Sequence, residues 1–247
     1  MSETFKPIAV RSPADNHFLF AIRCVLDLQL LTIYRFLYRK VPMWRGRVLD
    51  VGAGESPWRD LMKGVEYVGA DVDSAGEFGM RLNPGIHYYD GVRLPFSDAS
   101  FDHVLCVEVL EHVPHPERFL ADLLRVLRPG GSLLMTVPWS SRLHHLPHDY
   151  SRFSSYRLAA LLDTTGFSAV RIVERGNDIA VIANKLLVLT IRLLRPRLWF
   201  HSLWTWPLAV VASPGTLGFL LAAHVALLFG LGSKEDPLGY GLTAVKA

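Results

Sequence analysis

Four acids punctuate the first half of the chain where apolar runs stop: Asp50, Asp71, Asp90 and Glu108. The first stands in Val48-Leu-Asp-Val-Gly-Ala-Gly54, where a short run breaks into Gly52 and Gly54. Glycines at such a break let backbone approach a ligand closely and accept the positive φ of a sharp turn. The third glycine of a pyrophosphate-binding loop is missing, since Glu55, Ser56 and Pro57 follow. An acid beside the loop is also a poor neighbour for phosphate, so the loop predicts a nucleoside ligand without phosphates. Asp71 follows about 20 residues later, the spacing at which a nucleotide site places an acid on ribose hydroxyls. Each acid read singly is equally a cap or a solvated loop residue; four at successive strand ends favour the site.

A second group lies between Pro138 and Phe153: His144, His145, His148, Asp149 and Tyr150. Such side chains can take or give a proton near neutrality. His145 and His148 are the candidates for acid, base or substrate contact. The competing reading makes Pro147 to Phe153 a structural lid, with Asp149 bonding Arg152 or capping the next helix. His144, His145, His148 and Asp149 are too bunched for a structural zinc pattern, so no metal is expected. His112, beside Glu111, either faces a substrate or fixes the turn into the next helix.

These residues need a frame. Apolar residues recur at helical spacing from His17 to Arg39, predicting one helix or two after a loose arm over residues 1 to 16. Strands are predicted at Val48 to Asp50, Tyr67 to Ala70, His87 to Tyr89, Phe101 to Val107 and Ser132 to Val137. A short helix is expected over Trp58 to Lys63. Another runs from Pro116 to Leu127, with proline at its start and Pro129-Gly130-Gly131 after its end. A helix over Ser154 to Thr165, ended by Gly166, leads to a sixth strand, Phe167 to Glu174. This alternation means a parallel sheet with helices on both faces, and ligands there bind beyond the carboxyl ends of the strands.

The 247 residues allow one α/β domain plus an addition; half are apolar, and the formal charge is +3. No long basic run exists, so no nucleic-acid partner is expected. Cys24 and Cys106 form neither a disulfide nor a metal spacing, which suits a reducing compartment. Lys6, Arg11, Asp15 and Arg23 interrupt any signal peptide. The expected location is cytoplasmic.

In order, Val48-Leu-Asp-Val-Gly-Ala-Gly54, Tyr67-Val-Gly-Ala-Asp71, Asp90-Gly-Val-Arg-Leu-Pro-Phe-Ser-Asp-Ala-Ser-Phe-Asp102, Val107-Glu-Val-Leu-Glu-His-Val113 and Leu127-Arg-Pro-Gly-Gly131 form an ordered set. It resembles the class I S-adenosylmethionine-dependent methyltransferases, in particular the branch related to the ubiquinone/menaquinone-biosynthesis enzymes. The resemblance implies a Rossmann-like sheet with an antiparallel last strand and S-adenosylmethionine as cofactor. It implies that Gly52 and Gly54, with Asp50 and Ala53 beside them, line the methionine and ribose portion. Asp71 would hold the ribose hydroxyls, Val72 would flank the adenine, and Asp90 would take its amino group, with Gly91 allowing close approach. Glu108 would close the amino-acid end. Where the family has a third small residue, this chain has Ser56 or Pro57.

The last quarter departs from a plain enzyme of this kind. Ile179 to Leu194 carries only Lys185 and Arg192 as charges, and between Arg197 and Lys234 there are none. Pro207, Pro214 and Gly215 predict two pieces, Leu198 to Ser213 and Thr216 to Gly232, before a last strand at Tyr240 to Lys246. The expected organisation is an arm and helices at 1–45, a cofactor-binding core at 46–178, an apolar helical hairpin at 179–235, and the last strand at 236–247. Trp199, Trp204 and Trp206 beside Arg192, Arg195 and Arg197 look like an interfacial belt, placing the protein peripherally or monotopically on the cytoplasmic membrane face. The alternatives are a homodimer face or a roof over the substrate. The function expected is methyl transfer to an O or C atom of an apolar small-molecule or lipid-linked acceptor. Its rivals are methylation of a cell-envelope glycan or polyketide sugar, and a non-catalytic membrane-anchored scaffold. A nicotinamide-dependent oxidoreductase is disfavoured by the missing third glycine.

Overall fold

A computed structural model of the chain describes residues 8–78, 82–196 and 198–247. The start of the predicted arm, and Arg197 of the predicted belt, lie outside them. Seven strands form one sheet: β1 (Arg47–Val51), β2 (Glu66–Val72), β3 (Ile86–Tyr89), β4 (Phe101–Val107), β5 (Leu127–Pro138), β6 (Phe167–Arg175) and β7 (Gly239–Lys246). Their order is β3-β2-β1-β4-β5-β7-β6. β1 to β5 run parallel, and β7 lies antiparallel between β5 and β6. The strand order reverses between β1 and β4, and this opens a crevice at their carboxyl ends.

The helices are α1 (His17–Leu26), α2 (Leu28–Tyr38), α3 (Pro116–Val126), α4 (Ser155–Thr165), α5 (Asp178–Leu194) and α6 (Ser202–Phe229). One face of the sheet is covered by α3 and α4, through Phe119, Leu120, Leu123, Leu158, Leu161 and Leu162. The other face is covered from the N-terminus: Leu30, Ile33 and Leu37 of α2 pack with Val48, Leu105 and Leu134 of the sheet. Leu28 and Leu37 are fully buried, each contributing about 2 kcal/mol. The helix expected at Trp58 to Lys63 is instead a single 3-10 turn, Arg59–Leu61. With so short a crossover between β1 and β2, α2 together with Trp58 and Met62 fills that face.

The stripe from 17 to 39 divides at Asp27 for a local reason. Its N–H bonds the Arg23 carbonyl and ends α1, while its side chain accepts from Leu30 N and starts α2. Likewise Ser154 caps α4 and Asn177 caps α5, while Gly166, at φ +100°, ends α4 in a left-handed turn.

The expected break of the apolar stretch into two pieces is not observed. α6 continues for 28 residues through Pro207 and Pro214. A proline inside a helix costs one backbone hydrogen bond and a clash, about 3 kcal/mol. Near Pro214 the hydroxyls of Ser213 and Thr216 donate to the carbonyls of Ala209 and Ala212 at 2.7 and 3.0 Å, adding bonds where the ladder is interrupted. α6 also leans on α5: Ala180 and Ala183 meet Leu220 and Ala223, and Thr190 bonds Thr216 at 2.8 Å. Small residues let the two axes come close. The hairpin leaves the sheet at Arg175 and returns at Gly239, and these two residues are paired partners of β6 and β7.

Candidate active site

The glycine loop sits at the reversal point. Gly52 N and Ala53 N both donate to Ala70 O of β2, at 2.9 and 3.1 Å, so the loop folds back onto the neighbouring strand. Gly52 has φ +72°, and a Cβ there would lie 2.3 Å from Val109 Cγ2. No other residue fits this turn without moving Val109. Gly54 and Ser56 are also left-handed, at φ +50° and +56°. Ser56 thus adopts unaided the conformation that a glycine would have eased.

Asp71, 5% exposed, holds the loop in place. Its Oδ2 accepts from Gly54 N and its Oδ1 from Val72 N, each at 2.8 Å. Burial raises its carboxyl, and these two N–H groups pull the other way. Asp50, 1% exposed, accepts from the Tyr67 hydroxyl at 2.8 Å. Burial pushes its carboxyl up to about 7, opposed by the Tyr67 bond and reinforced by Asp71. Asp90 stands exposed just past β3, with Oδ1 accepting from Val92 N and Arg93 N, which lower its carboxyl. Gly91 beside it has φ +77°, and a Cβ there would press on Val72 Cγ1 at 3.3 Å. Asp50, Asp71 and Glu108 therefore surround the crevice at the ends of β1, β2 and β4, with Asp90 at its rim beyond β3.

Glu108 follows β4 with φ +54°, an unusual conformation for a non-glycine residue. Its N–H goes to Thr136 O, and its Oε1 accepts from Arg175 Nη2 at 2.7 Å. Arg175, 3% exposed, was not predicted as a site residue. It also reaches the carbonyls of Tyr240 and Val137 and the hydroxyl of Thr32. A lone arginine closing a strand before Gly176 is the only sign of it in the sequence.

The loop after β5 crosses above this edge. Asp149 receives both guanidinium nitrogens of Arg152 and the His144 N–H, the structural bonding foreseen as one of two readings. Ser154, not Asp149, caps the following helix. The two predicted histidines separate. His145, at φ +53°, turns toward His112 and His144, with ring centres 5.3 and 5.2 Å away. The His148 ring bonds the Tyr150 hydroxyl at 2.9 Å, while its carbonyl accepts from His112 Nδ1 at 2.7 Å. Burial pushes His112 down to about 4 and lowers His144, which favours the uncharged ring in both. Glu111, fully buried at the turn after β4, faces them, its carboxyl raised by burial and by the charge of Glu108. In the sequence Glu111 offers itself only as a partner for the neighbouring turn histidine, His112.

Residues 49–135 match the family described as methyltransferase domain. A phthiotriol/phenolphthiotriol dimycocerosates methyltransferase of Mycobacterium ulcerans is 43% identical over 99 residues, 36% of this chain and 36% of that one. Its counterpart in Mycobacterium tuberculosis is 38% identical over 111 residues, 41% of each chain. The chain thus spans about two fifths of the length of the curated relatives it matches. A SAM-dependent methyltransferase from Thermotoga maritima superposes with TM-score 0.54 at 15% identity, covering 95% of this chain and 97% of that one. One from Archaeoglobus fulgidus gives TM-score 0.52 at 19% identity, covering 94% and 100%.

Proposed function

We infer, from a methyltransferase domain at residues 49–135 set in the class I S-adenosylmethionine-dependent methyltransferase fold, that this chain transfers a methyl group from S-adenosylmethionine to an apolar, lipid-like acceptor. One observation carries the reading: a positive-φ glycine loop, tied to Asp71, at the strand-order reversal and ringed by acids where a phosphate would be repelled. The core is taken as residues 46–178 with 236–247, and the hairpin as 179–235.

The cofactor supplies an activated methyl on a sulfonium, and the protein must hold an acceptor atom in line with it. Such positioning is worth about 7 kcal/mol or more. Asp71 has lone pairs left beyond its two backbone bonds, and these take the ribose hydroxyls. Val72 flanks the adenine, and Asp90 with Gly91 receives its amino edge. Gly52, Ala53 and Gly54 give the methionine portion an approach that side chains would block, with Asp50 behind them. Glu108, aimed by Arg175, closes the amino-acid end. A base is needed only for a protonated nucleophile, and His145 and His148 are the groups above the pocket that could serve.

The acceptor class follows from the hairpin and from relatives whose names carry an esterified triol. The stretch Trp199–Phe229 is long and apolar enough to cross a membrane, and 22% of its most apolar window is buried. Trp199, Trp204 and Val211 are 83%, 76% and 78% exposed. α1 also exposes Phe18, Leu19 and Val25, and His224 of α6 bonds the Val25 carbonyl at 2.9 Å. So large an apolar area points to a bilayer as its neighbour. Because β7 is paired, a single crossing does not fit; the hairpin either dips into the cytoplasmic leaflet or crosses and returns, with Arg192 and Arg195 at the headgroups.

Calorimetric titration of S-adenosylmethionine into detergent-purified protein, with NAD as control, tests the cofactor. Incubation with methyl-labelled cofactor and a bacterial lipid extract then tests the acceptor. Binding of the first ligand alone and label in the organic phase are expected. Binding of neither ligand would remove the enzymatic reading and return the scaffold.

A further inference from the structure

Between the turn after β4 and the loop after β5 lies a cluster of side chains that includes His145 of the proposed acid–base pair. Ligand atoms of His112, His144 and His145 all lie within 4.8 Å of one another. Two of these rings have their tautomer fixed by a carbonyl, which can only accept. His112 Nδ1 lies 2.7 Å from His148 O, and His144 Nδ1 lies 3.1 Å from Arg142 O. Each Nδ1 therefore carries the proton, and each Nε2 presents a lone pair. Both lone pairs face one atom: Glu111 Oε1 is 3.7 Å from His112 Nε2 and 4.0 Å from His144 Nε2. Glu111 is 0% exposed, and neither of its oxygens has a hydrogen-bond partner among the described residues.

Two nitrogen lone pairs converge there on a buried carboxyl that no hydrogen bond satisfies, an arrangement that costs free energy as it stands. A positive ion at the centre reverses the sign of every one of these contacts. The surroundings are also those of a metal ligand set. Histidine ligands are commonly held by a carbonyl or carboxylate on their second nitrogen, and His144 Nδ1 is additionally 3.3 Å from Asp149 Oδ2, itself anchored by Arg152. We propose that His112, His144 and His145, with the Glu111 carboxylate, bind a zinc-type divalent cation that clasps the turn after β4 to the loop after β5. Imidazoles with one carboxylate suit zinc rather than magnesium or calcium, which prefer oxygen alone. Nitrogens of a four-coordinate zinc site sit about 3.3 Å apart, so the rings draw in by roughly an ångström or more on binding. The sequence pattern of His144, His145, His148 and Asp149 gave no zinc spacing because the third histidine comes from position 112, beyond the next strand and helix. A zinc held by His145 leaves His148 as the loop histidine available for proton transfer.

The test is metal content, with no turnover in the readout. Full-length protein equilibrated with zinc chloride and then desalted is expected to retain about one zinc per chain, held by four protein groups. His112→Ala and His145→Ala are expected to fall to background. His148→Ala is expected to keep its zinc, since the backbone carbonyl that holds His112 Nδ1 survives the substitution. Glu111→Gln preserves the size of the buried side chain and should weaken zinc retention at least about tenfold. Retention no greater than that of a zinc-free control in the unaltered protein would overturn the proposal. So would retention in folded His112→Ala and His145→Ala equal to that of the unaltered chain. Should those two variants fail to fold, cobalt decides on the unaltered protein. The visible bands of a four-coordinate ion support the site, and the spectrum of the hydrated ion overturns it.

Discussion

Arg175 Nη2 donates to Glu108 Oε1 at 2.7 Å, joining the last residue of β6 to the residue just past β4. The guanidinium is buried, and burial lowers its pKa while Glu108 and Glu111 raise it. Burial alone would disfavour such a charge; the carboxylate, two carbonyls and a hydroxyl make it tolerable. Arg175→Met is expected to cost about 3 kcal/mol, because Glu108 and two carbonyls lose their donor. Urea denaturation reads this, and Arg175→Met with Glu108→Gln should recover part of the loss. A double variant no more stable than Arg175→Met would show that the pairing carries little of it.

Gly52→Ala should be the most damaging single-methyl change in the loop. The added Cβ would stand 2.3 Å from Val109 Cγ2, on a backbone at φ +72°. The conformational part costs about 1 kcal/mol and the clash more. Gly64→Ala is the control, since it shares a positive φ of +77° but meets nothing within 4 Å. Thermal melts of the two should differ clearly, with Gly52→Ala lower.

Asp71→Asn keeps the side chain's shape but removes the charge that two N–H groups share and that the proposed site offers to the ribose hydroxyls. Affinity for S-adenosylmethionine should drop at least about tenfold, the loss expected for hydrogen bonds to a charged acceptor. Calorimetry at constant pH measures it. Unchanged affinity in a folded variant would remove Asp71 from the ribose.

Asp50 makes stability depend on pH in a known direction. Its carboxyl titrates at about 7 in the folded chain, against an ordinary value of 3.8. Between those values the folded state binds more protons than the unfolded one, so stability falls as pH rises. The contribution is complete below about pH 4 and lost as pH passes about 7. In cofactor-free protein, Asp50→Asn should flatten the denaturation midpoint across this window and raise it at pH 8. An equally steep profile in the variant would assign the dependence elsewhere.

The apolar hairpin should partition into lipid. Sedimentation with anionic phospholipid vesicles is expected to carry the intact chain down, with the tryptophan emission shifted to the blue. Replacing 198–232 by a short linker should leave it in the supernatant. Continued sedimentation of that variant would move the anchor to α1, where Phe18, Leu19 and Ile22 are exposed.

Much of the frame was readable because the strands of this sheet end in acids and glycines, which announce a turn whatever packs around it. Asp50, Asp71 and Glu108 all came to the crevice edge and Asp90 to its rim, since β1 to β4 run parallel and finish level. What the residues left open depended on partners distant in the chain. Asp27 serves two helices at once, which periodicity alone cannot reveal. The prolines of α6 suggested breaks, but a helix held along a neighbour can bend through them. Arg175 and Glu111 were passed over because a charge is read as exposed until a fold closes around it. His112 and His144 meet because β4 and β5 are paired, Val107 opposite Thr136, and not because of any spacing between them.

The pairing of Arg175 with Gly239 means that the sheet closes behind the hairpin as if it were not there. Everything between them is a cassette, attached at neighbouring points of one strand pair. It is tied to the frame by one buried cluster, in which Ala180, Val181, Ala183, Leu220 and Ala223 pack with Leu28 and Leu238. The hairpin leaves from the carboxyl edge of the sheet, where Arg175 holds Glu108, so whatever segment occupies that place stands beside the crevice and borders what enters it.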